Sequence, residues 1–272
     1  MRHPVGRLGL AAFAIVGWSA WASAAPGWPA ASDECSAKNY RVNDLTTYAE
    51  PKEQRLSAAS TTTIDPGTNG SIRVHGWSQG DVLVKACVQA AAPIESEARS
   101  LTLQISIAEG PGQIKPRGPS RDQDHQWSVS YEIWVPNASN LGMHADNGSI
   151  RLEAVRGEIR FHTTNGSVHL TDVAGDVDGS TTNGSLNIDL AGSTWNGGGL
   201  RAETTNGSVH LNIPENYSAQ VEASTVNGRV KIDFPVTVSG ELGDNVTFQL
   251  GSGGPTIEAK TTNGSIHIGR RG

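Results

Sequence analysis

The stretch Thr163-Thr164-Asn165-Gly166-Ser167-Val168-His169-Leu170 recurs with small changes at Thr181–Ile188, Thr204–Leu211 and Thr261–Ile268. Looser copies of its centre stand at Asn69-Gly70, Asn147-Gly148 and Asn227-Gly228. An internal repeat of this length constrains a chain more than its composition does, because each copy must build the same unit and bury its apolar face against its neighbours. Asn147 to Asn165 and Asn165 to Asn183 are steps of 18 residues, followed by steps of 23 and 21 to Asn206 and Asn227. The last step, 36 residues to Asn263, reads as two steps of 18 whose middle signature is worn away.

Aligned on their Asn, the copies show which side chains face inward. Ile72, Ile150, Val168, Leu186, Val209, Val230 and Ile266 stand three positions after it, and Val74, Leu152, Leu170, Ile188, Leu211, Ile232 and Ile268 stand five after it. Between these columns lie Arg73, Arg151, His169, Asn187, His210, Lys231 and His267. Such alternation is the pattern of a half-buried strand. A second apolar column, Leu141, Ile159, Val177, Leu200, Val221 and Ile257, precedes the Asn by six. Each repeat therefore holds two short strands around a corner. The corners are Asn147-Gly148, Asn165-Gly166, Asn183-Gly184, Asn206-Gly207, Asn227-Gly228 and Asn263-Gly264.

Two architectures fit. Asn-Gly between alternating strands is a strong hairpin signal, since both residues tolerate positive φ, and a meander of hairpins would use it. In a β-solenoid each repeat is instead one coil, and equivalent strands stack in parallel. Only the solenoid explains why one residue type recurs in every column, because stacked Thr, Ser and Asn hydrogen-bond to their own copies. The expectation is thus an all-β, β-helix-like solenoid with coils of about 18 residues. One distance separates the readings: His144 and His162, each three before an Asn-Gly, lie about 5 Å apart in a solenoid and roughly 10 Å apart in a meander.

Along the chain, residues 1–24 read as a signal peptide: Arg2 and Arg7, an apolar stretch from Leu8 to Trp21, then the small-residue site Ala22-Ser23-Ala24. Residues 25–62 read as a polar tail and capping segment, and residues 63–272 as the solenoid, irregular over 63–140 and in regular coils over 141–268. Within the irregular part, 82–88, 101–107 and 127–135 are strand candidates. The loop 109–126 between the last two is the most irregular exposed segment and is expected to be the most mobile. The two cysteines, Cys35 and Cys87, are expected to pair in an exported chain.

Gly70–Trp77, the strand Tyr131–Pro136 and the Asn-Gly-Ser coils together resemble the DUF4097 family, which is labelled an adhesin family and is related to the head GIN domain of autotransporter adhesins. The likeness covers roughly residues 60 to 268. It implies a right-handed β-helix-like fold in a bacterial envelope protein, with no catalytic residues and no cofactor to carry over.

The formal net charge of −6 argues against a nucleic-acid partner. Asp176 with Asp178, and Asp122 with Asp124, are the available carboxylate pairs for glycosidase chemistry, and both read as solvated turn residues. The corners lack the carboxylates of a calcium-binding roll, and no Gly-x-Ser-x-Gly elbow is present. His169, His210 and His267 form an outward stripe, in which His169 and His210, roughly 10 Å apart, are too distant to share a zinc ion, and His144 and His162 are weak metal candidates. The expectation is a non-catalytic, exported protein that binds a protein or envelope polysaccharide, with a polysaccharide-active enzyme as the alternative. Each Asn-Gly-Ser is also a glycosylation sequon, and glycans on stacked corners would crowd, so a bacterial periplasm is the favoured location.

Overall fold

The computed structural model describes residues 35–236, 238–239 and 244–271. The expected signal peptide lies outside the described residues. In chain order the strands begin with β1 (Thr46–Ser57), β2 (Thr62–Ile64), β3 (Ile72–Trp77) and β4 (Asp81–Ala92), then helix α1 (Glu95–Leu103), β5 (Gln113–Ile114) and β6 (Gln126–Pro136). The coils follow as pairs: β7 (Leu141–Asn147) with β8 (Ile150–Glu153), β9 (Arg156–Asn165) with β10 (Val168–Thr171), and β11 (Ala174–Asn183) with β12 (Leu186–Asp189). Next come β13 (Gly199–Asn206) with β14 (Val209–Ile213), and β15 (Ala219–Asn227) with β16 (Val230–Ile232). The chain ends through β17 (Val238–Ser239), β18 (Asn245–Leu250), and the pair β19 (Thr256–Asn263) and β20 (Ile266–Arg270).

Among the described residues two sheets form, in the orders β1-β4-β6-β3-β8-β10-β12-β14-β20-β16 and β17-β18-β15-β19-β13-β11-β9-β7-β2-β5. Each coil contributes one strand to each sheet, and equivalent strands pair in parallel, Val168 beside Ile150 and Leu186, for example. Parallel pairing with in-register repeats rules out the meander, and His144 pairs directly with His162. The aliphatic columns meet between the sheets. Ile150, Val168, Leu186, Val209 and Ile266 are fully buried on one side, facing Ile159, Leu200, Val221 and Ile257 on the other. Each such side chain contributes roughly 1.5–3 kcal/mol by leaving water. Size alternates where it must: the Phe161 ring fills the space beside Gly179, whose Cβ would lie 2.4 Å from that ring.

The corners explain the repeat. Asn165 Nδ2 donates to Asn147 Oδ1 at 2.8 Å, Asn183 to Asn165 at 2.8 Å, and Asn206 to Asn183 at 2.9 Å. One level deeper, the buried hydroxyls of Thr163, Thr181 and Thr204 donate to the carbonyls of Gly148, Gly166 and Gly184 in the adjoining coil. The left-handed region is not the reason for glycine here, contrary to the hairpin logic: none of Gly148, Gly166, Gly184, Gly207 and Gly228 adopts it, and Gly70 and Gly264, at φ 158°, are close to fully extended. The reason is close approach. A Cβ on Gly166 would stand 2.1 Å from Gly148 O, and one on Gly184 would stand 2.1 Å from Gly166 O.

Three expectations need correction, on the 36-residue step, the run of regular coils and the strand at 101–107. The 36-residue step does not hold a worn coil. After β16 the chain bends at Asp233 and Phe234, just before Pro235, which has no N–H to offer a strand ladder, and β18 runs back antiparallel to β15. The alternation of Val246, Phe248 and Leu250, all buried, is the sequence signal of this strand. In consequence the regular coils do not run unbroken from 141 to 268. The last coil in the chain, β19 and β20, is also not the last in the stack. It lies between β13/β14 and β15/β16, with Asn263 opposite Asn206 on one side and Asn227 on the other.

The strand candidate at 101–107 begins as a helix instead. Ala98, Leu101 and Thr102 are buried at helical spacing, and Glu95 and Glu97 occupy the first turn, where the helix dipole favours them. Lys52 Nζ on β1 donates to the carbonyls of Thr102 and Ile105, both at 2.7 Å, and so satisfies the helix C-terminus.

At the other end, β1 pairs antiparallel with β4 along its whole length and forms the outer edge of the first sheet. Its Pro51, Lys52, Glu53 and Arg55 are features that discourage further strand addition. Cys35 and Cys87 are joined, with Cα atoms 5.1 Å apart. The 109–126 loop is fastened rather than free: Arg117 Nε meets Glu109 at 2.8 Å, Lys115 Nζ meets Asp65 at 2.9 Å, and the Arg121 guanidinium lies over the Trp127 ring.

Candidate binding face

The solenoid offers two outward faces, one per sheet. On the second sheet, His144 and His162 stack with ring centroids 5.6 Å apart and planes 10° from parallel. Backbone register places them there, since both sit three before their Asn. The column continues through Ser180, whose Oγ lies 3.0 Å from His162 Nδ1. His144 Nε2 lies 3.2 Å from Asp146 Oδ1. These rings border a shallow cleft of about 580 Å³ that also reaches Arg160, Asp178, Arg201 and Glu203.

Charges on this face are arranged as a chain of pairs across coils. Arg201 Nη2 bonds Glu203 at 2.8 Å, and its Nε lies 3.5 Å from Glu258 on β19. Lys260 touches Glu258 and stands 3.9 Å from Glu203. Hydrogen bonding to Glu203, then the charges of Glu203 and Glu258, hold the Arg201 guanidinium above its ordinary pKa. Exposed pairs of this kind contribute little to stability. Their effect is to fix a pattern of alternating charge on a stiff surface.

The first sheet carries the expected histidine stripe, with a change caused by the inserted coil. His210 and His267 are direct neighbours, ring centroids 5.9 Å apart, edge to face. His267 also contacts Asp233, which Lys231 Nζ approaches at 2.8 Å. Hydrogen bonds from Lys231 and then His267 hold the Asp233 carboxyl below the usual range. His169 is half-buried, and burial first, then the nearby Arg151, lowers its pKa. Further along, His75 stacks on Trp134 at 5.2 Å, an aromatic cluster that sequence reasoning did not single out. Its signal was available, since both residues fall on outward positions of adjacent strands.

The remaining candidates are accounted for locally. Asp176 Oδ1 accepts from Gly198 N at 2.6 Å in a corner. Asp122 Oδ1 accepts from the backbone N–H groups of Asp124 and His125, a short turn closed by its own side chain. Among the described residues no three His, Cys, Asp or Glu side chains converge as a metal would require. No helix among them is long and apolar enough to cross a membrane.

A two-sheet parallel β-solenoid with polar outer faces is the class that these features define. The chain belongs to the Toastrack family, DUF4097, whose profile matches residues 77–269. Similar solved structures include a candidate cell adhesion protein from Clostridium sporogenes ATCC 15579, at 13% identity and TM-score 0.38, with 82% of this chain and 100% of that one covered. A candidate adhesin from Bacteroides fragilis NCTC 9343 is similar at 14% identity and TM-score 0.33, covering 82% and 97%. A candidate lipid binding protein from Parabacteroides distasonis ATCC 8503 is similar at 11% identity and TM-score 0.25, covering 81% and 96%. No curated protein matches the sequence.

Proposed function

We propose that the protein is an exported, non-catalytic solenoid that binds a protein or envelope polysaccharide through the outer face of its second sheet, and that it works in a bacterial periplasm. The observation that carries the reading is the cross-coil pattern of Arg201, Glu203, Glu258 and Lys260 beside the stacked His144 and His162. It is a rigid array of donors and acceptors at coil spacing, suited to an extended polar partner. The leader at residues 1–24 supports export. The Cys35–Cys87 bond supports an oxidising compartment.

The alternative, an enzyme acting on a polysaccharide, rests on Asp178 and Glu203 lining one cleft. Purified protein applied to a glycan panel and to envelope fractions distinguishes the two. Binding without turnover, weakened by Arg201→Glu with Lys260→Glu, is the expected result. Product formation lost in Asp178→Asn or Glu203→Gln would replace the proposal with the enzyme, and recovery of the protein from cytoplasm would remove the export reading.

A further inference from the structure

The inserted last coil is gripped from both sides. On one side Asn263 Nδ2 donates to Asn206 Oδ1 and Thr261 Oγ1 to Gly207 O; on the other Asn227 Nδ2 donates to Asn263 Oδ1 and Thr225 Oγ1 to Gly264 O, all at 2.8 Å. Its Ile257, Ala259, Ile266 and Ile268 are fully buried. Charge sets this coil apart from the others. Its Glu258 and Lys260 meet Arg201 and Glu203 of β13, where β9 carries Arg160 and His162 and β11 carries Asp178 and Ser180 at the equivalent positions. The slot between β13/β14 and β15/β16 is thus shaped and charged for one particular coil. A short hinge ties that coil to it. Leu250 pairs with Ala219 on one side of β15, and Thr256 with Gln220 on the other, so residues 251–255 cross over the start of β15. The crossing uses Gly251 and Gly253 in the left-handed region, at φ 53° and 78°. A Cβ on Gly251 would lie 2.3 Å from Ser218 Oγ. A short crossing of this kind is a point of exchange, because the same coil makes the same bonds in another copy's slot.

We propose that this slot is a self-recognition site that accepts the last coil of a second copy, so that two chains exchange β19 and β20 reciprocally. Straightened, the five hinge residues reach roughly 17 Å, more than the two strand spacings of about 10 Å that they cross within one chain. Two hinges running side by side carry each coil into the other copy. The contacts of the coil in its slot are kept, and the hinge alone changes conformation. The exchange is two-fold symmetric and closes on itself, so it ends at a dimer. It also makes the charged face composite: Arg201 and Glu203 come from one copy, and Glu258 and Lys260 from the other. The proposal does not depend on what that face binds.

The test uses the full chain as two variants, Thr205→Cys and Thr262→Cys. These exposed positions face each other on β13 and β19, with Cα atoms about 5 Å apart, within reach of a disulfide. The two variants are unfolded together in urea with the Cys35–Cys87 bond intact, refolded over a range of concentrations, and oxidised. A bond between positions 205 and 262 of different chains, identified by peptide mapping and rising with concentration, is expected. Mixing the variants after each has folded should give far less of it. Adding Gly251→Val to both, which opposes the left-handed crossing, should raise the exchanged share about threefold or more at fixed concentration. A single chain carrying both cysteines serves as control, since it should close on itself at low concentration. Absence of the inter-chain bond at every concentration while that control closes, an equal yield from variants mixed after folding, or an unchanged share with Gly251→Val would each overturn the proposal.

Discussion

Asn227 and Asn263, 36 residues apart in the chain, share a side-chain hydrogen bond of 2.8 Å as immediate neighbours in the stack. Between them the chain leaves the solenoid, adds an antiparallel strand to the second sheet, and returns to insert its last coil one level earlier. Asn263 in turn donates to Asn206, 57 residues away, at 2.8 Å. The ladder of corners is continuous, but its order is not the order of the sequence.

Removing the last coil should therefore damage the stack from within. A chain ended after Gly254 lacks β19 and β20, which among the described residues are the only strands paired in parallel with β15 and β16. Amide exchange is expected to show β15, β16 and β18 losing protection together, while β7 to β12 stay protected. Persisting protection at Ala219–Ile232 would show that this insertion is not required.

Corner glycines should fail by contact rather than by conformation. Gly184→Ala places a methyl group 2.1 Å from Gly166 O, and it should cost more than about 2 kcal/mol in a denaturant titration. Gly80 has open space around it, so Gly80→Ala should stay within about 0.5 kcal/mol of the parent. Equal effects at the two sites would refute the close-approach account.

The Cys35–Cys87 bond closes a separation of 52 residues, which the loop-entropy relation values at about 4 kcal/mol. Replacing both by Ser should expose β1 and α1 to exchange first, because β4 carries both the bond and the whole of β1. The coils from β7 onward should remain protected, each held by its neighbours.

His169 makes stability depend on acid. Its folded pKa lies below the ordinary value of 6.5, through burial first and Arg151 second, with Asp189 opposing in part. The unfolded chain then binds the proton more tightly. The neutral ring's contribution is full above pH 6.5 and is lost as pH falls through the folded value, below which the loss is constant. His169→Asn, which copies Asn187 in the next coil, should lose less stability than the parent as pH drops below 6.5. Parallel urea midpoints for the two proteins across that range would exclude the effect.

The sequence by itself determined the unit. Alternation of Val168, His169 and Leu170 around a fixed Asn-Gly says which atoms face inward, and identity down the columns says that copies stack, because only a neighbour of the same type can use the same hydrogen bond. It therefore placed His144 against His162. Local pattern could not give the order of coils. Every coil end presents the same ladder, so β20 fits equally well against β14 and β16, and it is the antiparallel strand β18, not a further coil, that lies beside β15 in the second sheet. The helix at Glu95–Leu103 was decided the same way: Leu101 and Ile105 satisfy strand and helix spacing alike, and the Lys52 bonds from β1 to its C-terminal carbonyls favour the helix. The charge pattern on the candidate face is a product of both. The sequence set the outward positions of Arg201, Glu203, Glu258 and Lys260, but only the inserted coil brings the last two beside the first two.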